Sequence, residues 1–292
     1  MGNNSIIVIV GPTGVGKTKL SIELAKKVNG EIINADSMQV YKGLDIGTAK
    51  IKDDEKEGIE HHLFDIVDVS SMYTIYDYQK DCRKTIDDII NRGKRPILVG
   101  GSGLYIRAAL FDYNLLFENE KHDFSDLTNE ELYNKCREYD KNIDIHVNNR
   151  KRLERYLNKQ MNNESITNNS KPIYDFIMIG LTTDRNKLYD IINKRVDKMV
   201  KNGLIDEVKA LYDSNIRSKS ISTGIGYKEL YSYFDHEISL EDALELIKKN
   251  SRHLAKRQYT FFNNQFDNVK WFNTNYDNFT STINEVYEYI EG

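Results

Sequence analysis

Residues 11–18 read GPTGVGKT, which fits the spacing G-x-x-x-x-G-K-[ST]. Glycines at 11, 14 and 16 let the backbone turn several amide N–H groups toward one point. Lys17 adds a mobile positive charge, and the Thr18 hydroxyl can ligate Mg²⁺. The eight residues Gly11, Pro12, Thr13, Gly14, Val15, Gly16, Lys17 and Thr18 are therefore read as a cradle for a di- or triphosphate. About one helix downstream, NADSMQVY (34–41) places the carboxylate Asp36 near the same place. An acid there repels a diphosphate unless it faces the other reactant. The pair suits a reaction in which diphosphate leaves while Asp36 takes a proton from the attacking nucleophile, which requires an approach of about 3 Å. Spacing alone equally allows Asp36 to hold Mg²⁺ or to cap the next turn.

The elements that must position these groups follow from periodicity. SIIVIVG (5–11) is a β-branched run ended by glycine, as expected of a strand buried on both faces. KTKLSIELAKKVNG (17–30) has helical apolar spacing, and EIINAD (31–36) reads as a second strand. A helix over 76–94, a strand over 95–101 and a strand over 175–181 continue the alternation. That pattern predicts an α/β fold: a P-loop NTPase-like core with a parallel sheet flanked by helices. The cradle and Asp36 follow successive strands, so both fall at the carboxyl edge of the sheet. Between 113 and 172 the β-branched runs stop, and helices are expected over 124–140 and 147–160. Thr128, three residues before Glu131, has the form of a capping box. Residues 161–172 are polar and Asn-rich and read as a mobile loop. The domains are thus 1–112 with 173–292 as the α/β core, and 113–172 as an inserted helical domain. Two further helices are expected, over 185–203 and 240–264.

The chain has 292 residues, 39% of them apolar and 29% charged, an ordinary profile for a soluble protein. No apolar run approaches the roughly 18 residues of a membrane span, and the apolar start reads as a buried strand, not a signal peptide. The two cysteines, Cys82 and Cys136, lack metal-ligand spacing and fit a reducing cytoplasm. A net charge of −4 excludes a wholly basic nucleic-acid coat but not a basic face. Two such segments stand out: RKRLER (150–155), and KKNSRHLAKRQ (248–258), where Lys249, Arg252 and Lys256 recur at near-helical spacing. Either can be a solvated face. The third strand ends ILVGGSGLY, with glycines and Ser102 where a nucleotide hydrolase places a Mg²⁺-binding Asp, which counts against ordinary NTP hydrolysis.

GPTGVGKT, NADSMQVYKGLDIGTAK, HHLFDIVD, LVGGSGLYI, KRVDKMVKNGLIDEV, GIGYKEL and RHLAKRQYTFF, in that order, resemble the tRNA dimethylallyltransferase (isopentenyltransferase) family from about residue 6 to 272. The resemblance implies that the cradle holds the diphosphate of dimethylallyl diphosphate, not that of ATP. It implies that the acceptor is the exocyclic amine of an adenine beside the anticodon of a tRNA. Asp36 then corresponds to the family's base, and Thr18 to the residue that helps bind Mg²⁺ and diphosphate. The resemblance puts Asp36, Ser37, Met38 and Gln39 around the flipped base. Ser102 matches a family Thr beside the tRNA, and Lys151, Arg152, Leu153, Glu154 and Arg155 match a tRNA-contacting segment. The expected cofactor is Mg²⁺. The expected partners are the tRNA anticodon stem-loop and dimethylallyl diphosphate, with no membrane and a monomeric, cytoplasmic protein.

Three features depart from the family pattern. Thr223 stands where an Arg or Gln precedes the GYKE motif, so a positive contact is missing or comes from elsewhere, with Arg217 as the candidate. The stretch after FDYNLLF is short, which suggests a reduced insertion. NN, not Asp-Pro, precedes RKRLER. No Cys/His pair follows Trp271, so the zinc finger of eukaryotic members is not expected. His61 and His62 face opposite ways on an extended chain and read as structural. Most of the nineteen tyrosines are expected in packing. The alternatives are a P-loop nucleoside or small-molecule kinase, which consumes ATP, and a nucleotide-dependent switch that binds RNA without forming a covalent product.

Overall fold

The computed structural model describes residues 5–113, 122–162 and 168–292. The chain divides into two compact units, Met1–Phe111 with Pro172–Gly292, and Asp112–Lys171.

In the larger unit the strands are β1 (Ile6–Val10), β2 (Gly30–Asn34), β3 (His61–His62) and β4 (Arg95–Val99). After β5 (Phe111–Tyr113) and β6 (Asn168–Pro172), which pair with each other, come β7 (Phe176–Thr182) and β8 (Val269–Asn273). The main sheet has the order β3-β2-β4-β1-β7-β8, and every neighbouring pair runs parallel. β1 is central, paired to β4 through Ile7–Ile97 and to β7 through Ile7–Ile177. It is buried throughout, which is why its sequence is a continuous β-branched run with no alternation. Parallel strands need crossovers, and helices supply them: α1 (Lys17–Val28) leads from β1 to β2, and α2 (Ile75–Asn91) from β3 to β4. Alternate β1 residues separate into two cores. Ile6, Val8 and Val10 pack with α2 residues such as Tyr78, Cys82 and Ile86, whereas Ile7 and Ile9 pack with α1 residues Leu20 and Leu24. Both cysteines are buried, and burial pushes the Cys82 thiol up to about 12 and that of Cys136 up to about 11.

α3 (Gly103–Leu110) precedes the insertion, whose helices are α4 (Asn129–Tyr139) and α5 (Arg150–Met161). They enclose a small core of Leu132, Cys136, Ile143, Leu153 and Leu157. α4 starts later than the expected 124 because Thr128 caps it: Glu131 N donates to Thr128 Oγ1 at 3.3 Å and Thr128 N to Glu131 Oε2 at 2.8 Å. The Arg150 guanidinium ties the entry to this unit, donating to the carbonyls of Leu127 and Phe124, each at 2.6 Å. The polar stretch read as a mobile loop over 161–172 is partly ordered, since Asn168–Pro172 forms β6; residues 163–167 lie outside the described residues.

Beyond β7 lie α6 (Arg185–Lys201), α7 (Leu204–Asp213), α8 (Lys219–Thr223), α9 (Tyr227–Phe234), α10 (Leu240–Gln265) and α11 (Phe279–Glu291). Four of these six helices, together with β3 and β8, went unseen in the sequence because most are short and punctuated by glycine. Among the described residues no helix is long and apolar enough to cross a membrane.

Candidate active site

The loop between β1 and α1 is shaped by its glycines. Gly11 sits at φ +138°, and a Cβ there would lie 2.4 Å from the Leu181 carbonyl oxygen on β7. Gly14 and Gly16 both adopt φ +90°. Val15 is fully buried, so its contribution to the cradle is backbone only. Lys17 Nζ donates to the carbonyls of Gly11 at 2.9 Å and Pro12 at 2.8 Å. Loss of water at this site, then the repulsion of Arg195, lowers the Lys17 ammonium to about 8, although Asp36 opposes the shift. Thr18 is exposed in the first turn of α1, at the helix's positive end.

β2 ends at Asn34, whose side chain fixes the turn that follows. Asn34 Oδ1 accepts from Asp36 N at 2.9 Å, and Nδ2 donates to the carbonyls of Asp36 at 3.1 Å and Leu63 at 3.0 Å. Asp36 is half-buried, and its Oδ1 accepts from Met38 N at 2.9 Å. Among the described residues no hydrogen bond engages Oδ2. Ser37 N donates to Ser102 Oγ at 3.0 Å, which in turn lies 3.2 Å from Ser37 Oγ. Gln39 Nε2 donates to the Thr48 carbonyl at 3.0 Å. Thr13, Gly14, Gly16, Lys17, Thr18, Asp36, Ser37, Met38, Gln39 and Ser102 all line one cavity of about 750 Å³, a volume typical of small-molecule sites. The structure thus brings the cradle and the acid to one space.

The sheet edge is drawn tight around that space. A Cβ on Gly100 would lie 2.1 Å from the Ala35 carbonyl oxygen, and one on Gly101 would lie 2.0 Å from Gln258 Nε2. Gln258, on α10, crosses from loop to loop: it accepts from Thr13 N at 2.9 Å and donates to the Gly101 carbonyl at 3.2 Å. The glycines after β4 therefore serve close approach of three chain segments. His61 also lines the cavity. Its Nδ1 lies 2.8 Å from the Ile59 carbonyl, which can only accept, so Nδ1 carries the proton and Nε2 is a bare acceptor, buried without a partner among the described residues. Burial lowers the His61 pKa and keeps the ring neutral. His62 turns the other way, with Nε2 at 2.7 Å from Glu31 Oε2. Glu31 is also held by Arg92 and Lys94, and the Arg92 guanidinium first of all keeps it well below the usual carboxylate range.

In the insertion, Lys151, Arg152 and Arg155 are exposed on α5. Glu154 pairs with Arg150 Nε at 2.7 Å. Leu153 is fully buried in the insertion's core, so within that segment its side chain packs inward. On α10, Lys249 and Lys256 are exposed, whereas Arg252 is half-buried and donates to Asn193 Oδ1 at 2.6 Å.

A model of the IPP transferase family matches residues 39–265. The chain belongs to that family. It is 46% identical to a tRNA dimethylallyltransferase of Anoxybacillus flavithermus, with 98% of this chain and 96% of the relative covered. Its fold matches the crystal structure of the full-length tRNA isopentenylpyrophosphate transferase of Bacillus halodurans with a TM-score of 0.78 and 43% identity, covering 99% of this chain and 96% of that one. It also matches a eukaryotic dimethylallyltransferase captured acting on tRNA, with a TM-score of 0.78 and 31% identity over 92% of this chain and 74% of that one. These likenesses do not favour the kinase reading.

Thr223 lines the cavity of this IPP transferase without a cation of its own, but Arg217 does not supply one. Its guanidinium stacks 4.4 Å from the Tyr212 ring and 4.8 Å from that of Tyr231, outside the cavity wall. Besides Lys17, the cations that line the cavity are Arg195, on α6, which sequence reasoning missed, Lys228 and Arg257. Arg195 Nη2 makes one long bond, 3.4 Å, to the Thr48 carbonyl, and among the described residues no carboxylate lies at ion-pair distance. Burial lowers its pKa while Asp36 opposes the shift. The signal was present in the sequence: Leu188, Ile192, Arg195 and Met199 share one helix face, so the periodicity turns a guanidinium inward.

Proposed function

We propose that the chain transfers the dimethylallyl group of dimethylallyl diphosphate to the exocyclic N6 of an adenine next to the anticodon of a tRNA, releasing diphosphate, as a cytoplasmic monomer. The observation that carries this reading is that the glycine cradle, Lys17 and Arg195 open on the same cavity as Asp36. The cradle amides, the positive end of α1, Lys17 and Arg195 stabilise charge as the diphosphate departs. The amine nitrogen attacks the first allylic carbon, and the carbon–oxygen bond breaks with its electron pair staying on diphosphate. Asp36 receives the proton that the nitrogen loses. Met38 N fixes Oδ1, which leaves Oδ2 as the accepting atom. The base must leave its stack to reach this depth, and Ser37, Met38, Gln39 and Ser102, which line the cavity, are the side chains we assign to meet it.

The residues present fit Mg²⁺. Among the described residues no group of three or more His, Cys, Asp or Glu could hold a metal, and an exposed Thr18 hydroxyl beside a phosphate cradle suits an ion that keeps its waters and shares substrate oxygens. Thr18 would hold the ion. Bound there, Mg²⁺ would supply charge neutralisation to the leaving diphosphate.

Incubation with dimethylallyl diphosphate, Mg²⁺ and unmodified tRNA should yield prenylated adenosine by mass spectrometry. No product together with ATP turnover would replace this reading with a kinase.

A further inference from the structure

Glu207, in the first turn of α7, lies outside the wall of the cavity, yet four donors converge on its carboxylate. Oε2 accepts from Asp45 N at 3.1 Å and from Ile46 N at 2.7 Å. Oε1 accepts from Gly47 N at 3.0 Å and from the Tyr227 hydroxyl at 2.7 Å. Three successive amides form a concave nest, a shape that binds an anion, and here the anion is a side chain of the protein itself. A Cβ on Gly47 would fall 2.7 Å from the Tyr227 ring, so the segment lies flat against that ring. The residues that follow, Thr48 and Ala49, reach the cavity wall. There the Thr48 carbonyl accepts from Gln39 Nε2 at 3.0 Å and from Arg195 Nη2 at 3.4 Å. Gln39 comes from the acid side of the cavity and Arg195 from α6, so one carbonyl holds a side chain from each.

We propose that Glu207 is a positioning residue for the transfer reaction: by clamping the amides of residues 45–47 it fixes the Thr48 carbonyl, and through it both Arg195 and Gln39. The inference rests on the transferase reading above. Glu207 acts at a distance from the chemistry, as a charge that sets backbone geometry. A neutral amide of the same shape cannot replace it, because its NH₂ group would face N–H donors.

The test is Glu207→Gln. Hydrogen exchange at the amides of residues 45–47 should accelerate at least tenfold. The KM for dimethylallyl diphosphate and for an anticodon stem-loop RNA should each rise about tenfold, with kcat within threefold of wild type. In an Arg195→Lys background the change should add less than twofold to the donor KM, and in Gln39→Ala less than twofold to the RNA KM, because the clamp acts through those side chains. If Glu207→Gln does not fold, Glu207→Asp, which keeps the charge, should show the same selective exchange and a smaller KM rise. Penalties that multiply independently in the double variants, or unchanged KM values with accelerated exchange, would overturn the positioning role. Failure of the wild-type protein to prenylate RNA would instead sink the transferase reading, while amide exchange would still report on the clamp.

Discussion

On the proposed diphosphate side of the cavity the glycine loop contributes backbone, joined by the side chains of Lys17 and Arg195; on the acid side the contributions are side chains. Gly11, Gly14 and Gly16 take left-handed angles that side chains disfavour, and Val15 is turned away into the core. Around Asp36 the groups that face the cavity are a carboxylate, a hydroxyl and an amide, each placed by one or two hydrogen bonds: Asp36 by Met38 N, Ser37 by Ser102, Gln39 by Thr48. The two sides should therefore fail differently. Adding an atom damages the first, because there is no space for it. Removing or neutralising one damages the second, because its chemistry resides in single atoms. Leaving-group stabilisation can be spread over many weak dipoles, whereas proton acceptance belongs to one oxygen.

The largest effect expected from this contrast is steric. Gly11→Ala would drive a methyl to within 2.4 Å of the Leu181 carbonyl oxygen at a φ of +138°, so denaturant unfolding should show a loss of about 3 kcal/mol, the upper end of ordinary overpacking. Ser37→Ala, which removes a hydroxyl, should cost about 1 kcal/mol by the same measurement. Equal losses would dissolve the distinction between the two sides. Next, Arg195→Ala should raise the KM for dimethylallyl diphosphate about 10- to 100-fold, the worth of one charged hydrogen bond, with the KM for RNA changed less.

A smaller effect concerns pH. The Lys17 ammonium titrates at about 8 in the folded protein against an ordinary 10.5. A bound diphosphate favours the charged form, so donor affinity should fall as pH rises through about 8, by less than tenfold per unit. The unbound protein should behave oppositely. Between about 8 and 10.5 the unfolded chain holds a proton that the folded chain lacks, so stability gains with rising pH over that window. Calorimetry of diphosphate binding beside thermal melts would show both signs. Smallest is the basic face of α5: Lys151→Ala or Arg152→Ala should each lower the salt slope of tRNA affinity by about 1. A slope unchanged in both would place tRNA phosphates elsewhere.

How much of this was legible in the sequence follows the same division. The cradle was readable because its glycines are required by backbone geometry at fixed spacing, and Asp36 because strand order puts it at the same edge. Thr128 and Glu131 were readable as a cap because the cap is local. Arg195, Gln258 and Glu207 were not, since each acts across long sequence distance: Gln258 lies 245 residues from the Thr13 amide it binds. KRVDKMVKNGLIDEV had been singled out only as resemblance, and RHLAKRQYTFF only for that and for its basic residues. Arg217 was misread because a cation near the GYKE motif could not be told, from sequence, to lie on the Tyr212 and Tyr231 rings. Leu153 lies inside a basic segment and forms the apolar side of that helix. β8 and the short helices α7, α8 and α9 carry too few residues to show a period.

The account turns on which group takes the amine proton, and Asp36→Asn addresses it most directly. Single-turnover prenylation of an anticodon stem-loop and diphosphate binding by calorimetry should be measured on the same preparation. The predicted result is a rate lower by about 10²- to 10⁴-fold, the range for loss of a general base, with diphosphate affinity within threefold of wild type. Turnover near the wild-type rate, or a collapse of diphosphate binding, would contradict it and return Asp36 to a metal-holding or purely structural role.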